Sequence, residues 1–307
     1  MSRTLSSHVT ALETAINERL PRGLKVGFLT LYWHSSRGTT ALDGIADRPL
    51  WKCWSDIGVV TLVSLQVTAL ALVATAAYLA LGQSRATALN DPANTIAIPG
   101  LNAFMPVAAA PYIVAALLVA TVVHEAGHAL ACRAEGIPVT EWGIALFLGV
   151  VPLAAYVLPD EALDAASARS KLRVYAIGTF HNLLVAAAAF AVLRSPFAAS
   201  PTEAYVTYFG WVFVDGAAPS AASVASLGAL TNLCFWVALL NANVTLMNAL
   251  PVTALDGGRV LAITLQWVPA LRGRAFGRPM RVLVVHSASV LTVVLVAVAV
   301  FAPLVGL

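Results

Sequence analysis

The chain has 307 residues, of which 59% are hydrophobic and only 11% are charged, and its mean hydropathy is +0.82. A soluble domain carries about 25% charged residues, so this composition excludes a soluble globular protein and indicates an integral membrane protein with a lipid bilayer as its surroundings. The net charge of +3 is small, and the basic residues form no patch interleaved with aromatic residues, which argues against a nucleic-acid partner.

The first 56 residues are mostly polar, and we expect them to form a cytoplasmic juxtamembrane segment (1–56) ahead of a transmembrane core (57–307). Four apolar residues of this segment share one helical face: Val9, Leu12, Ile16 and Leu20. This pattern is compatible with a short helix at the membrane interface and equally with a solvated helix.

Five apolar runs reach the length of about 20 residues that a membrane-spanning helix needs. Their approximate bounds are Ile57–Gly82, Ile113–Cys132, Val174–Leu193, Leu227–Leu250 and Val282–Leu304. A further apolar stretch continues after the fourth run to Trp267. The predicted fold class is therefore an α-helical polytopic membrane protein with five to six transmembrane helices.

The run Trp142–Leu158 is too short to span and contains Gly143, Gly149 and Pro152. It is rich in β-branched and aromatic residues, which favours a small membrane-associated β-strand or re-entrant element over a helix.

Basic residues predict the orientation of the spans. With a cytoplasmic N-terminus and five spans, only Arg85 and Arg194 of the 18 Lys and Arg residues fall on the outer side. Such a bias is what the positive-inside rule expects, so we predict that the N-terminus lies in the cytoplasm.

The second run contains His124, Glu125 and His128 in the pattern His-Glu-x-x-His. On a helix, residues four apart share a face, so the two imidazoles can bind one metal ion, with the carboxylate beside it as a general base. Two neutral nitrogens with an open coordination position suit zinc. Ionisable residues inside a span are costly and usually functional. If Arg133 marks the cytoplasmic membrane edge, the two histidines lie roughly 8 and 14 Å from it, at about 1.5 Å per residue, which places the site toward the cytoplasmic side.

A catalytic zinc ion needs a third protein ligand. The best candidate is Asp256, because it lies in the apolar segment Asn248–Val260, where Pro251 and the pair Gly257–Gly258 predict a broken helix. A broken helix at membrane depth is tolerated where it lines a cavity or is buried in protein.

These motifs together resemble the site-2 protease family of intramembrane zinc metalloproteases. The resemblance rests on His-Glu-x-x-His in one span and Asn-x-x-Pro-x-x-x-Leu-Asp-Gly in a later one, and it covers roughly Leu118 to Val260. The segment Gly178–Asn182 (GTFHN) resembles the Gly-x-x-x-Asn motif of the family. This version of the motif and the residues after His128 are more similar to the eukaryotic sterol-pathway branch than to the bacterial envelope-stress branch. No segment resembles a PDZ domain.

The resemblance implies roles for individual residues. His124, His128 and Asp256 would bind one zinc ion per chain, and Glu125 would be the general base. Asn182 would stabilise the oxyanion as a second catalytic residue.

The remaining implied roles concern the substrate. Asn248 would hold its backbone, and the segment Gly143–Gly149 would be a strand that pairs with it. The residues of that strand implicated in substrate binding are Gly143, Ile144, Ala145, Leu146 and Phe147. His181 is not a ligand in the family pattern, and it would either tune the oxyanion site without binding the metal or be an ordinary hydrogen-bonded neighbour.

The leading functional hypothesis is an intramembrane zinc endopeptidase that cleaves a single-span membrane protein. One alternative is a membrane zinc peptidase acting on soluble or lipidated tails, but such enzymes take a glutamate as third ligand and the last glutamate here is Glu203, outside any span. The other is a metal transporter or an inactive metal-binding relative. A transporter would show internal repeats, and an inactive relative would have lost Glu125. The oligomeric state stays open.

Overall fold

The computed structural model describes residues 16–21, 23–27, 30–37, 39, 42–83, 86–95, 98–147, 151–213, 217–271 and 277–305, without the side chains of residues 147 and 151–154. The α-helices with described bounds are α1 (Asp43–Ala46), α2 (Leu50–Leu81), α3 (Ala110–Ala134), α4 (Ala162–Ala165), α5 (Ala168–Leu193), α6 (Pro201–Phe209), α7 (Ala221–Ser226), α8 (Gly228–Ala249), α9 (Asp256–Thr264) and α10 (Gly277–Val305). Short 3₁₀ turns lie at Ala88–Asn90, Pro92–Thr95, Val107–Ala109, Gly210–Val212, Leu265–Trp267 and Pro269–Leu271.

Five of these helices, α2, α3, α5, α8 and α10, are long and apolar enough to cross a membrane, which confirms the predicted polytopic helical fold. Several begin earlier than their apolar runs: α2 begins at Leu50, α5 at Ala168 and α10 at Gly277. The added turns carry charged residues that a helix can hold in the headgroup region beyond the hydrocarbon. The apolar stretch before Trp267 forms α9, whose 9 residues span about 13 Å and cannot cross a bilayer.

Helix α5 is the centre of the bundle. Half of its most apolar window (50%) is buried inside the protein, against 17% for α2 and 22% for α10. It packs against α2, α3 and α8, while α2 and α10 pack along each other at the periphery. The outer faces of α2 and α10 expose large apolar side chains, among them Val60, Val67 and Val290. These faces suit contact with lipid.

The strands form one antiparallel sheet in the order β1 (Leu24–Gly27), β2 (Thr30–Ser35), β3 (Val139–Phe147) and β4 (Val151–Pro159). The predicted strand element is therefore confirmed as the hairpin β3–β4, with Ile144 opposite Ala155. The hairpin β1–β2 was not predicted, and it adds to β3 with Trp33 opposite Ile144. Helix α3 packs against β4, so the sheet lies beside the helix that carries the His-Glu-x-x-His motif.

One predicted N-terminal feature falls largely outside the described residues. Of the helical face at residues 9–20, only Ile16 and Leu20 are described, and Ile16 lies in a helical turn. The segment between α5 and α8 contains α6, α7 and the 3₁₀ turn Gly210–Val212. In α6, Tyr208 is fully buried and donates a hydrogen bond from its hydroxyl to Oδ1 of Asn232 in α8, at 2.6 Å. This contact joins α6 to the beginning of α8.

Candidate metal centre

Three potential ligand atoms converge at one point between α3, α5 and α9. Helix α3 places His124 and His128 one turn apart on its buried side, and Asp256 is the first residue of α9. Oδ2 of Asp256 lies 3.1 Å from Nε2 of His124 and 3.3 Å from Nε2 of His128, and the two Nε2 atoms are 3.1 Å apart. The structure thus brings together the three residues that the sequence predicted as metal ligands.

Hydrogen bonds behind the imidazoles orient both rings toward this point. Nδ1 of His124 lies 3.2 Å from Oδ1 of Asn182, and Nδ1 of His128 lies 2.6 Å from the carbonyl oxygen of Val174. Because both partners are acceptors, each Nδ1 carries the proton and donates it. Each Nε2 is then a bare lone pair facing Asp256, which is the arrangement that outer partners commonly impose on metal-binding histidines.

The donor set fits a divalent cation. With the imidazoles in these tautomers, Oδ2 of Asp256 faces two nitrogen lone pairs, and it has no hydrogen-bond donor among the described residues although it is buried. A buried, uncompensated carboxylate is unfavourable, and a cation at this point would supply the missing charge. Two imidazole nitrogens and one carboxylate oxygen, with room for a fourth ligand, are a typical set for zinc.

Asp256 reaches the site through a break in the helical path. Helix α8 ends at Ala249, the chain turns through Pro251, and α9 starts at Asp256. A Cβ on Gly257 would overlap the carbonyl oxygens of Ala249 and Leu250, and one on Gly258 would overlap the carbonyl of Val252. The glycine pair therefore lets α9 fold directly against the end of α8, as the predicted broken helix requires.

Side chains from two other spans bind backbone groups on both sides of this break. Nε2 of Gln66 in α2 donates to the carbonyl oxygens of Ala249 (3.1 Å) and Gly257 (2.8 Å). Oγ of Ser289 in α10 accepts from the backbone N–H of Thr253 at 2.9 Å. Sequence reasoning missed both residues. A lone glutamine within the first apolar run was the available signal, since polar residues inside spans are usually functional.

Gly178, the first residue of the Gly-x-x-x-Asn motif, packs directly against the two imidazoles. A Cβ at this position would come within 2.8 Å of Nε2 of His128 and 3.0 Å of Cε1 of His124. The missing side chain therefore lets α5 approach the two imidazoles closely.

Asn182, one turn further along α5, is fully buried and uses all of its amide. Oδ1 faces His124, while Nδ2 donates to the carbonyl oxygen of Ala120 (3.1 Å) and to Oδ1 of Asn241 (3.2 Å). These contacts leave no amide hydrogen for an oxyanion, so they favour a role in orienting His124. The predicted oxyanion role stays a prediction.

His181 lies outside the ligand group. Its Nε2 accepts a hydrogen bond from Nε1 of Trp54 at 3.0 Å. Of the two roles predicted for His181, this contact favours that of an ordinary hydrogen-bonded neighbour over that of tuning the oxyanion site.

Glu125 sits between two cavities. Its Oε2 accepts a hydrogen bond from the backbone N–H of Val157 in β4 at 2.9 Å. On one side, a cavity of about 290 Å³ contains the ligand group, and Asn248, Tyr156 and Val157 also line it. On the other side, a cavity of about 200 Å³ between α3 and the sheet is lined mostly by apolar residues. Glu125 is thus the carboxylate next to the ligand group and has open space on both sides.

The strand beside the ligand group is β4 rather than β3. Strand β3 pairs with β2 along one edge and with β4 along the other, so Gly143–Phe147 presents no open edge for a substrate strand. Gly143 instead makes room for Tyr156, because a Cβ there would come within 2.6 Å of that ring. Burial raises the pKa of Tyr156 above its ordinary value, with further contributions from nearby Glu141 and Tyr32. Its hydroxyl therefore stays protonated at neutral pH.

An ion-pair network ties three spans together near the site. Arg173 in α5 binds Asp56 of α2 through Nε (2.8 Å) and Nη2 (2.7 Å), and it binds Glu135 at the end of α3 through Nη1 (2.7 Å). The sequence identified Arg173 only as part of the cytoplasmic charge. Because it precedes Val174, the network also fixes the carbonyl that orients His128.

A family model described as peptidase family M50 matches residues 112–295, which is more than half of the chain and includes all three members of the ligand group. No solved structure matches the chain.

Proposed function

The chain belongs to peptidase family M50, the site-2 protease family, and is a multi-pass membrane metalloprotease, and we propose that it hydrolyses peptide bonds within or next to the transmembrane segment of a single-span protein. The observation that carries the proposal is the convergence of His124, His128 and Asp256 beside Glu125, between helices that are long enough to span a bilayer. A hydrolytic centre among such helices can reach a substrate that is itself embedded in the membrane.

The metal ligands would be Nε2 of His124, Nε2 of His128 and Oδ2 of Asp256. Zinc bound there would polarise a water molecule and the scissile carbonyl group. The family is zinc-dependent in general, and one ion per chain fits the single ligand group in the described residues.

Glu125 would act as the general base. One of its oxygens is held by the N–H of Val157, which leaves the other free to take a proton from water in the adjoining cavity and pass it to the leaving amine. Asn182 and the carbonyl of Val174 would keep the imidazoles in one tautomer throughout.

The substrate segment must unwind before hydrolysis, because a helix hides its carbonyl groups in internal hydrogen bonds. The freed backbone groups then need partners in the membrane. We assign this pairing to the outer edge of β4, which has no strand neighbour among the described strands and which lines the cavity with Tyr156 and Val157. Asn248 lines the same cavity and would bind the substrate backbone from the opposite wall.

The active site would face the cytoplasm. The charged residues of the added helical turns, including Asp56 and Arg173, lie at the end of the bundle where the positive-inside rule places the cytoplasm. Water would reach Glu125 from that side, and a cytoplasmic fragment of the substrate would be released.

A cleavage assay in liposomes tests this function. Tagged single-span proteins whose spans contain helix-weakening residues would be incubated with wild type, Glu125→Gln, Asp256→Ala and the matched control Glu161→Gln, whose side chain is exposed and does not line the cavity of the ligand group. We expect cleavage by wild type and Glu161→Gln only, abolished by a zinc chelator, with zinc retained by Glu125→Gln and lost by Asp256→Ala. Cleavage by Glu125→Gln at the wild-type rate would refute the mechanism. Bound zinc without cleavage of any substrate would favour an inactive metal-binding relative.

A further inference from the structure

A second, basic cavity lies between α9 and α10. It has a volume of about 300 Å³, at the lower end of the range for small-ligand sites. Its polar lining includes Arg259, Gln266, Arg278, Arg281 and His286. Only Arg259 also lines the cavity of the ligand group.

Among the described residues that line this cavity there is no carboxylate. No Asp or Glu follows Asp256 in the sequence, whereas five arginines do. Among the described residues, Arg259, Arg278 and Arg281 form no salt bridge. By contrast, Arg133 in α3 and Arg173 in α5 each form a salt bridge with an acidic side chain. The basic cavity is thus an unusual concentration of uncompensated charge for this protein.

Contacts with neutral groups hold two of the guanidinium groups in place. The guanidinium carbon of Arg259 lies 5.0 Å from the centroid of the Tyr175 ring, and Nη1 of Arg281 donates to the carbonyl oxygen of Leu271. Each guanidinium has five N–H donors, so these contacts leave several donors free on both residues. Nδ1 of His286 faces the carbonyl of Val282 at 2.8 Å, which leaves its Nε2 available to a ligand.

Several arginine donors around one cavity match the oxygens of a phosphate group, which accepts paired hydrogen bonds from guanidinium. The cavity is also lined by the first turns of the spanning helix α10, and arginine side chains at the end of a span can reach lipid headgroups. We propose that it binds a phosphate group, supplied by an anionic phospholipid headgroup at this end of the bundle. Soluble phosphate offers the same chemistry, and the two sources are distinguished by experiment.

The test measures lipid binding by the full-length protein in detergent. Short-chain phosphatidylglycerol and phosphatidylcholine would be titrated separately, and the bound lipid would be counted by native mass spectrometry. Inorganic phosphate would be added as a competitor in a parallel series. The variants are Arg278→Ala and Arg278→Ala/Arg281→Ala, and the control is Arg48→Ala/Lys52→Ala, which removes two exposed positive charges on the same predicted side of the membrane.

We expect the wild type to prefer phosphatidylglycerol, and the double variant to bind it roughly tenfold or more weakly, since each basic residue near an anionic surface contributes about 1 kcal/mol, or about fivefold. Arg278→Ala alone should show a smaller loss, and it guards against misfolding because the Arg278 side chain is exposed. The Arg48→Ala/Lys52→Ala variant should bind as wild type does. Displacement of the lipid by millimolar phosphate would identify a site that also accepts the soluble ion. Equal losses in both double variants, or no preference for phosphatidylglycerol, would overturn the proposal. None of these readouts depends on proteolysis.

Discussion

Nε2 of Gln66 lies 2.8 Å from the carbonyl oxygen of Gly257 and joins the first spanning helix to the residue that follows Asp256. The same nitrogen also donates to the carbonyl oxygen of Ala249, where α8 ends. One amide group therefore binds both sides of the helix break. Since unsatisfied backbone groups in a bilayer cost several kcal/mol each, this contact stabilises the geometry that presents Asp256 to the histidines.

Replacing Gln66 by leucine should therefore weaken the metal site from a distance. Gln66→Leu keeps the approximate size of the side chain but removes the donor that joins Gly257 to the carbonyl oxygen of Ala249 at the end of α8. We therefore expect lower zinc occupancy and a lower melting temperature. Zinc per chain would be measured after dialysis against a weak chelator. The control is Gln83→Leu, the same chemical change at an exposed position beyond α2. Full zinc occupancy in Gln66→Leu would show that the break holds its shape without this contact.

A methyl group at Gly178 should disturb the ligands directly. In Gly178→Ala, the new Cβ would lie 2.8 Å from Nε2 of His128, so either that ring or α5 must move. We expect zinc binding and proteolysis to fall together by at least tenfold, because outer-shell changes typically cost 10–100-fold in metal affinity or activity. Gly44→Ala is the control, since a Cβ at that position meets no atom within 4 Å. Wild-type zinc affinity in Gly178→Ala would mean that the two helices separate without affecting the ligands.

The residues that bear the chemistry were predictable because their types are rare in apolar segments. His124, Glu125 and His128 lie within one span at helical spacing, and Asp256 lies in the one apolar segment with a proline and a glycine pair nearby. The family motif was enough to predict that these side chains come together, without knowledge of how the helices pack. Gln66 was overlooked because a single polar residue has no spacing pattern that links it to a partner in a helix almost 200 positions away.

The order in which strands pair within the sheet was not predictable in the same way. The strand at Gly143–Phe147 was identified, but an extended segment does not reveal which of its edges is already paired. The hairpin β1–β2 covers one edge of β3 from more than 100 positions earlier in the chain, with Tyr32 opposite Ala145. The alternation of apolar and polar residues in Leu24–Ser35 was a local signal for those strands, but their register against β3 is a tertiary property.

Substitutions of Asn182 distinguish its two candidate roles. Asn182→Asp keeps an oxygen that can accept from Nδ1 of His124 and removes the amide donors, whereas Asn182→Leu removes both. If the residue orients His124, Asn182→Leu should lose roughly tenfold or more in zinc affinity. Asn182→Asp should lose less than Asn182→Leu, because its carboxylate still accepts from Nδ1 of His124 although its second oxygen faces the oxygens of Ala120 and Asn241. Zinc affinity would be measured by competition with a chromophoric chelator, and kcat on zinc-saturated protein.

The oxyanion role predicts a different result for the same pair. A lost oxyanion donor lowers kcat by about 10²–10³-fold, so both variants should then be slow even when fully loaded with zinc. Asn243→Leu serves as the control for Asn182→Leu, because Asn243 is exposed and its Nδ2 donates to Leu239 of its own helix. Orientation of His124 is the outcome that the contacts of Asn182 favour.

The outer edge of β4 can be tested without touching the metal ligands. Successive N–H groups of a strand point to opposite edges, and that of Val157 points toward Glu125, so the N–H of Ala155 faces the same edge. Ala155→Pro removes this donor at an edge position where proline is tolerated, and the strand already contains Pro152 and Pro159. If the substrate pairs here, loss of one hydrogen bond, worth about 1 kcal/mol, should lower kcat/KM by about fivefold, with zinc content unchanged. Ala155→Gly keeps the N–H and is the matched control. Wild-type kcat/KM in Ala155→Pro would show that the substrate strand does not use this edge.

A substrate with an ester in place of the partner amide removes a hydrogen bond between the substrate and this edge from the substrate side. It therefore gives an independent test if the proline variant does not fold.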